Sequence, residues 1–168
     1  FDVSEKYFCK GCQVRLRLQH VKTTHQDFSN YEPFEYVCMD GSGPVPVRSI
    51  HGNVYIWAIM CLRSRWVELF YTKRKDQVTI YEVLRQYIAW VKTKRGTVRN
   101  FGVTKKLLTD LGGEFTNKAL NSFCSKELIE HLFAATKMHH QNAHVERYFQ
   151  ILWQGINRTI FTGSIPFT

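Results

Sequence analysis

Apolar residues recur along the chain at two spacings, one typical of strands and the other of helices. Short apolar runs bounded by turn residues predict five strands, at residues 34–39, 54–61, 66–71, 106–109 and 132–135. The first three runs are close in sequence and joined by short connections, so an antiparallel meander is their simplest arrangement.

Helical spacing appears at three places between and after these strands. The first helix begins after Asp76, a suitable N-cap, and ends at Gly96. The second is capped by Thr116 or Asn117, and the third covers residues 142 to about 160. Three strands followed by alternating helices and strands predict an α/β fold with one five-stranded mixed sheet flanked by helices.

The chain carries a clear excess of positive charge. Its 168 residues include 23 Lys and Arg against 14 Asp and Glu, which gives a net charge of +9 and an isoelectric point near 9.4. Such an excess favours a polyanionic partner such as nucleic acid, although a basic soluble protein explains it equally well. No apolar run reaches the roughly 18 residues that a membrane span needs, so we expect no membrane partner.

Three carboxylates lie where chain geometry would expose them. Asp40 ends the first strand before a glycine-rich turn, Asp110 ends the fourth strand before two glycines, and Glu146 lies in the first turns of the last helix. Sites in α/β sheets form beyond strand ends, and Mg²⁺ prefers carboxylate oxygens. Taken singly, each acid is better explained as a turn former or as a helix N-terminal charge, and we interpret nearby Glu114 as structural or peripheral.

Five blocks of sequence accompany these three acids, and three of the blocks contain one of them each. They are Asp40-Gly-Ser-Gly-Pro44, Ser64-Arg-Trp-Val67, Thr109-Asp-Leu-Gly-Gly-Glu-Phe115, Gln141-Asn-Ala-His-Val-Glu-Arg147 and Gly163-Ser-Ile-Pro166. With thirty-five residues between Asp110 and Glu146, this pattern resembles the core of copia-type retrotransposon integrases, in the wider retroviral integrase family, from about residue 31 onward. The chain departs from the family at Ala143, where a glycine is usual, and at residues 138–140, which replace Thr-Pro-Gln.

The resemblance implies an RNase H-like fold and an enzyme that integrates DNA by 3′-end processing and strand transfer, as part of a pol polyprotein. Asp40, Asp110 and Glu146 would be catalytic and would hold two Mg²⁺ or Mn²⁺ ions. Element ends and target DNA would be partners of a homo-oligomer that works in the nucleus after assembly in a cytoplasmic virus-like particle. An RNase H-like nuclease, or a non-catalytic nucleic-acid-binding remnant of a degenerate element, remain alternatives.

The first thirty residues differ in composition from the rest. Cys9 and Cys12 form half of a zinc site, and the resemblance implies that they end an N-terminal zinc-binding module whose histidines lie upstream. Two alternatives remain, a site completed by His20 and His25 and a redox pair. We therefore expect residues 1–30 to be an incomplete module and linker, and residues 31–168 to be the core, truncated at its C-terminus.

Basic and polar residues flank Glu146 more closely than other parts of the chain. A surface histidine is the ordinary explanation for each one alone, but their position favours contact with DNA. The predicted nucleic-acid-binding residues are Lys137, His139, His140, Asn142, His144 and Arg147. The remaining cysteines, three in apolar surroundings, are typical of buried free thiols in a reducing compartment.

Overall fold

A computed structural model describes residues 27–95, 102–134 and 143–162. These form five strands and three helices, in the order β1 (Tyr36–Ser42), β2 (Tyr55–Cys61), β3 (Val67–Thr72), α1 (Gln77–Arg95), β4 (Lys106–Thr109), α2 (Lys118–Lys126), β5 (Glu130–Phe133) and α3 (Ala143–Thr162). The chain divides into two compact units. One ends at Glu146 and contains the whole sheet, and Arg147–Thr162 is the described part of the other.

The five strands form one mixed sheet, as predicted. Their order is β3-β2-β1-β4-β5, with β1, β2 and β3 antiparallel and β4 and β5 parallel to β1. The predicted meander is thus confirmed, and β1 becomes the central strand because β4 returns to its free side across α1.

The core lies between the sheet and the apolar face of α1. The buried residues of α1 are the six that the helical spacing predicts: Ile80, Val83, Leu84, Tyr87, Ile88 and Val91. They pack with sheet residues such as Val37, Trp57 and Leu107, and with Leu120 and Cys124 of α2. Cys38, Cys61 and Cys124 are buried free thiols, as expected. Among the described residues, no helix is long and apolar enough to cross a membrane.

The bounds of β1 and β5 differ most from the prediction. β1 begins later because Phe34 has a left-handed backbone, with φ of 69°, which a strand residue does not adopt. It also continues to Ser42, so Asp40 lies within the strand, paired with Ala58, and does not end it. β5 begins two residues early, at Glu130, whose N–H donates to the carbonyl of Lys105.

The N-caps of α1 and α2 are formed by side chains that the sequence predicts. The Asp76 carboxylate accepts the N–H of Thr79 at 2.8 Å, and Asn117 accepts that of Leu120 at 2.8 Å. Asn117, and not Thr116, is therefore the cap of α2. The end predicted for α1 at Gly96 lies outside the described residues.

Replacing Asn117 by Ala is expected to lower the free energy of unfolding by about 1 to 2 kcal/mol, as loss of a helix cap does. The Asn117 amide also donates to the carbonyl of Glu114 at 2.8 Å, so the substitution removes a second bond. Urea denaturation measures the change. Lys118→Ala, at an exposed position of the same helix, should stay within about 0.5 kcal/mol of the wild type. Equal losses in both variants would contradict the prediction.

Candidate active site

The pairing of β1 with β4 brings two of the predicted acids side by side. These parallel strands pair Tyr36 with Lys106 and continue to Cys38 with Leu108. Asp40 and Asp110 each lie two residues beyond this last pair. Asp110 has already left β4, while Asp40 remains bonded to β2. The pairing of β1 with β4 therefore ends just before the two acids, at the carboxyl end of the parallel strands, where α/β folds commonly bind ligands.

Glu146 lies in the first turn of α3 and contributes its charge to the same cluster. The pKa of Asp40 is raised to about 6, mainly by burial and in part by the negative charges of Asp110 and Glu146. The N–H of Gly41, which donates to the Asp40 carboxylate at 2.7 Å, and the charge of Lys75 act in the opposite direction. The structure thus brings the three predicted acids close enough to repel one another.

The residue after Asp40 has to be small because a tryptophan ring covers it. Gly41 pairs with Trp57, and a Cβ at position 41 would stand 2.3 Å from a carbon of the indole ring. The ring is fully buried, donates its Nε1–H to the Thr72 hydroxyl at 2.9 Å, and meets Phe115 edge-on at 6.1 Å. Trp57 therefore packs against the backbone at Gly41, directly after Asp40, and against Phe115 in the loop after Asp110.

The loop after Asp110 folds back on its own carboxylate. Asp110 accepts the N–H of Gly112 at 2.9 Å. A Cβ on Gly112 would lie 2.9 Å from the Asp110 carboxylate and 2.8 Å from that of Glu114, so a fourth acid stands beside the cluster. Glu114 is paired with Lys75 at 2.8 Å, and that bond is the main cause of the raised pKa of the Lys75 ammonium.

The donor set suits a hard divalent cation, because it consists of carboxylate oxygens whose mutual repulsion a cation would relieve. In the part of the chain that the structure describes, no three His, Cys, Asp or Glu side chains are arranged closely enough to hold one ion. Asp40, Asp110 and Glu146 would therefore have to draw together around it. Asp110 and Glu146 are both exposed, whereas Asp40 is partly buried within β1.

The other predicted site residues are mostly beyond the described part of the chain. Cys9, Cys12, Lys137, His139, His140 and Asn142 lie outside it, and of His144 only the helical backbone is described. Arg147 is exposed, directly after Glu146.

Sequence reasoning missed two residues that the structure connects to the acids. Trp57 is one of several apolar residues in β2, and its role depends on the register that pairs it with Gly41. Lys75 lies one residue before the helix cap among other basic residues, and no spacing rule distinguishes it. The signal that could have found Trp57 is the glycine that directly follows a candidate metal ligand in a strand.

Comparison with known families matches residues 30–138 to the family described as Integrase core domain. The chain belongs to the integrase core domain family. The match contains Asp40 and Asp110 and ends before Glu146. Members of this family in general transfer polynucleotide strands and use divalent metal ions, which agrees with the acidic cluster.

Similar sequences occur in retrotransposon polyproteins. The chain is 26% identical over 132 residues to the retrovirus-related Pol polyprotein from transposon TNT 1-94 of Nicotiana tabacum, covering 79% of this chain and 9% of that protein. It is 26% identical over 166 residues to the truncated transposon Ty1-A Gag-Pol polyprotein of Saccharomyces cerevisiae, covering 95% and 13%. The chain thus spans about a tenth of the length of these relatives.

The fold is that of a retroviral integrase. The integrase core superposes on a chain of the simian T-cell lymphotropic virus intasome with a TM-score of 0.61 at 16% identity, covering 80% of this chain and 44% of that one. The five-stranded mixed sheet with flanking helices is accordingly the predicted RNase H-like fold.

Proposed function

We propose that this integrase core joins DNA ends to target DNA by metal-dependent phosphoryl transfer, with Asp40, Asp110 and Glu146 as its catalytic residues. The observation that carries the proposal is that the parallel pairing of β1 with β4 ends two residues before both Asp40 and Asp110. The raised pKa of Asp40, to about 6, supports it, because a half-buried carboxylate kept among other acids is costly without a cation.

The three acids would hold the metal ions, and their surroundings suggest how the work is divided. When bound, two Mg²⁺ or Mn²⁺ ions would activate a water or a DNA 3′-hydroxyl and stabilise the leaving oxygen. Asp40, fixed by β2 and by Trp57, would provide the rigid part of the site, and Asp110 would be oriented by the N–H of Gly112. Glu146 would complete the ligand set from α3.

The partners follow from the same proposal. The net charge of +9 favours DNA, both element ends and target, because each neutralised phosphate releases counterions. We assign DNA contact to Arg147, which directly follows Glu146 in the sequence, and to Lys137, His139, His140, Asn142 and His144, by their position in the sequence alone. Concerted joining of two ends requires more than one copy, so we further propose a homo-oligomer that acts in the nucleus.

A branched-substrate resolution assay with Mn²⁺ or Mg²⁺ tests the proposal most directly. It compares the wild-type chain with Asp110→Asn, whose side chain keeps the same size and the bond from Gly112. Metal-dependent transesterification that disappears in the variant and with a chelator is the expected result. Salt-sensitive DNA binding without any reaction, in a folded sample, would instead indicate a non-catalytic remnant.

A further inference from the structure

One cation stands among the acids of the candidate site. Lys75, in the segment between β3 and α1, donates to the Glu114 carboxylate at 2.8 Å, and its Nζ lies 5.9 Å from the centre of the Trp57 ring. It therefore lies over the ring that covers Gly41, the residue directly after Asp40. Its charge acts on Asp40 and on Asp110, as well as on its direct partner.

An ordinary surface ion pair would not have these surroundings. Exposed ion pairs are screened by solvent and contribute little to stability. Here the Glu114 side chain is only 16% exposed and lies beside the Asp110 carboxylate, on the other side of Gly112. The pair is thus built into the wall of the acid cluster, with the lysine on its accessible side.

We propose that Lys75 is a substrate-contacting residue of this site, held by Glu114 at the rim of the acid cluster, where its ammonium meets a phosphate oxygen of bound DNA. This inference rests on the proposed function, because it takes DNA as the substrate. An ammonium has three donors, of which Glu114 accepts one, so two remain for a phosphate. Without DNA, the same charge partly balances the acids and competes with metal ions.

The inference predicts that removing the Lys75 charge raises the affinity for Mg²⁺ and lowers the reaction rate. In Lys75→Met, the divalent ion no longer competes with a resident cation, so the Mg²⁺ concentration that half-saturates thermal stabilisation, without DNA, should fall about threefold to tenfold. The rate of branched-substrate resolution at saturating metal should fall about tenfold to a hundredfold. If Lys75 only kept the site folded, its loss would lower both the Mg²⁺ affinity and the rate.

Three further variants sharpen the test. Lys75→Arg keeps the charge and should retain most of the wild-type rate. Glu114→Gln should lower the rate by about fivefold because Lys75 loses its orientation. Lys73→Met removes the same charge two residues away at an exposed position, and should stay within about twofold of the wild type in both measurements.

Two results would overturn the inference: a wild-type rate in Lys75→Met, or a loss of metal affinity that accompanies the loss of rate. The proposed function fails separately, if the wild-type chain does not react at all. Even then the metal titration decides the role of Lys75, since an unchanged Mg²⁺ affinity in Lys75→Met shows that its ammonium does not balance the acid cluster.

Discussion

Replacing Asp40 by Asn is expected to abolish metal-dependent DNA joining, by a factor of about a thousand or more, while stabilising the metal-free fold at neutral pH. A neutral amide cannot replace a carboxylate as a ligand for a hard divalent ion, so the activity is lost. The folded state becomes more stable because burial and the charges of Asp110 and Glu146 no longer act against an ionised group at position 40. Asn still accepts the N–H of Gly41.

The gain in stability has a definite dependence on pH. The folded-state pKa of Asp40, about 6, lies above its ordinary value of 3.8, so between these values the folded chain holds a proton that the unfolded chain has released. The wild type therefore loses stability relative to Asp40→Asn as pH rises through this window, by up to about 3 kcal/mol above it. Urea denaturation without divalent ions at about pH 4 and about pH 8 measures the difference.

Asp27→Asn is the matched control for this substitution. Asp27 is exposed, and hydrogen bonds from Ser29 lower its pKa, so its replacement should bring no gain in stability at any pH. The control variant should also join DNA at the wild-type rate, and Mg²⁺ should stabilise it as it stabilises the wild type. If Asp40→Asn joins DNA, or gains as much as the wild type from Mg²⁺, Asp40 is not a metal ligand.

A methyl group at position 41 is expected to lower the free energy of unfolding by about 3 kcal/mol. In Gly41→Ala the new carbon would stand 2.3 Å from the indole ring of Trp57. The ring cannot move aside easily, because Thr72 and Phe115 hold it and it is fully buried. Strain at this point also displaces Asp40, so joining should fall even where the variant is folded.

A second substitution separates steric strain from other effects of losing the glycine. Trp57→Phe removes the second ring that crowds position 41, so Gly41→Ala should cost less in that background, and a double-mutant cycle measures the coupling. Gly155→Ala is the control. A Cβ there meets nothing within 4 Å, and Ala suits a helix better, so the expected change is a gain of about 0.5 to 1 kcal/mol. Purely additive losses at positions 41 and 57 would contradict the steric explanation.

The sequence predicted the elements well and their exact ends less well. Periodicity identifies the buried face of α1 residue by residue, since burial on one helix face follows from spacing alone. It could not predict that Phe34 turns left-handed or that β1 continues through Asp40. Both depend on partners far away in the chain: Phe34 donates its N–H to the sulfur of Cys61, and Asp40 pairs with Ala58.

The three acids could be predicted from the sequence, whereas the residues that surround them could not. Strand ends, turn glycines and the spacing of Asp110 from Glu146 point to the three acids, and in the structure the charges of Asp110 and Glu146 act on Asp40. The ion pair of Lys75 with Glu114 connects the residue before the N-cap of α1 with the loop after β4, and sequence spacing carries no information about that contact. Contacts between segments remote in sequence arise from the tertiary fold, whereas periodicity reports only local structure.

The order of strands in the sheet also determines when, during synthesis, the acid cluster can exist. β1, β2 and β3 follow one another in the chain and can pair as they leave the ribosome, whereas β4 reaches β1 only after α1 has been made. Asp110 arrives with that strand, and Glu146 arrives later still. A chain interrupted before α3 holds at most two of the three acids, so an unfinished or truncated product can carry a folded meander and still leave DNA uncut.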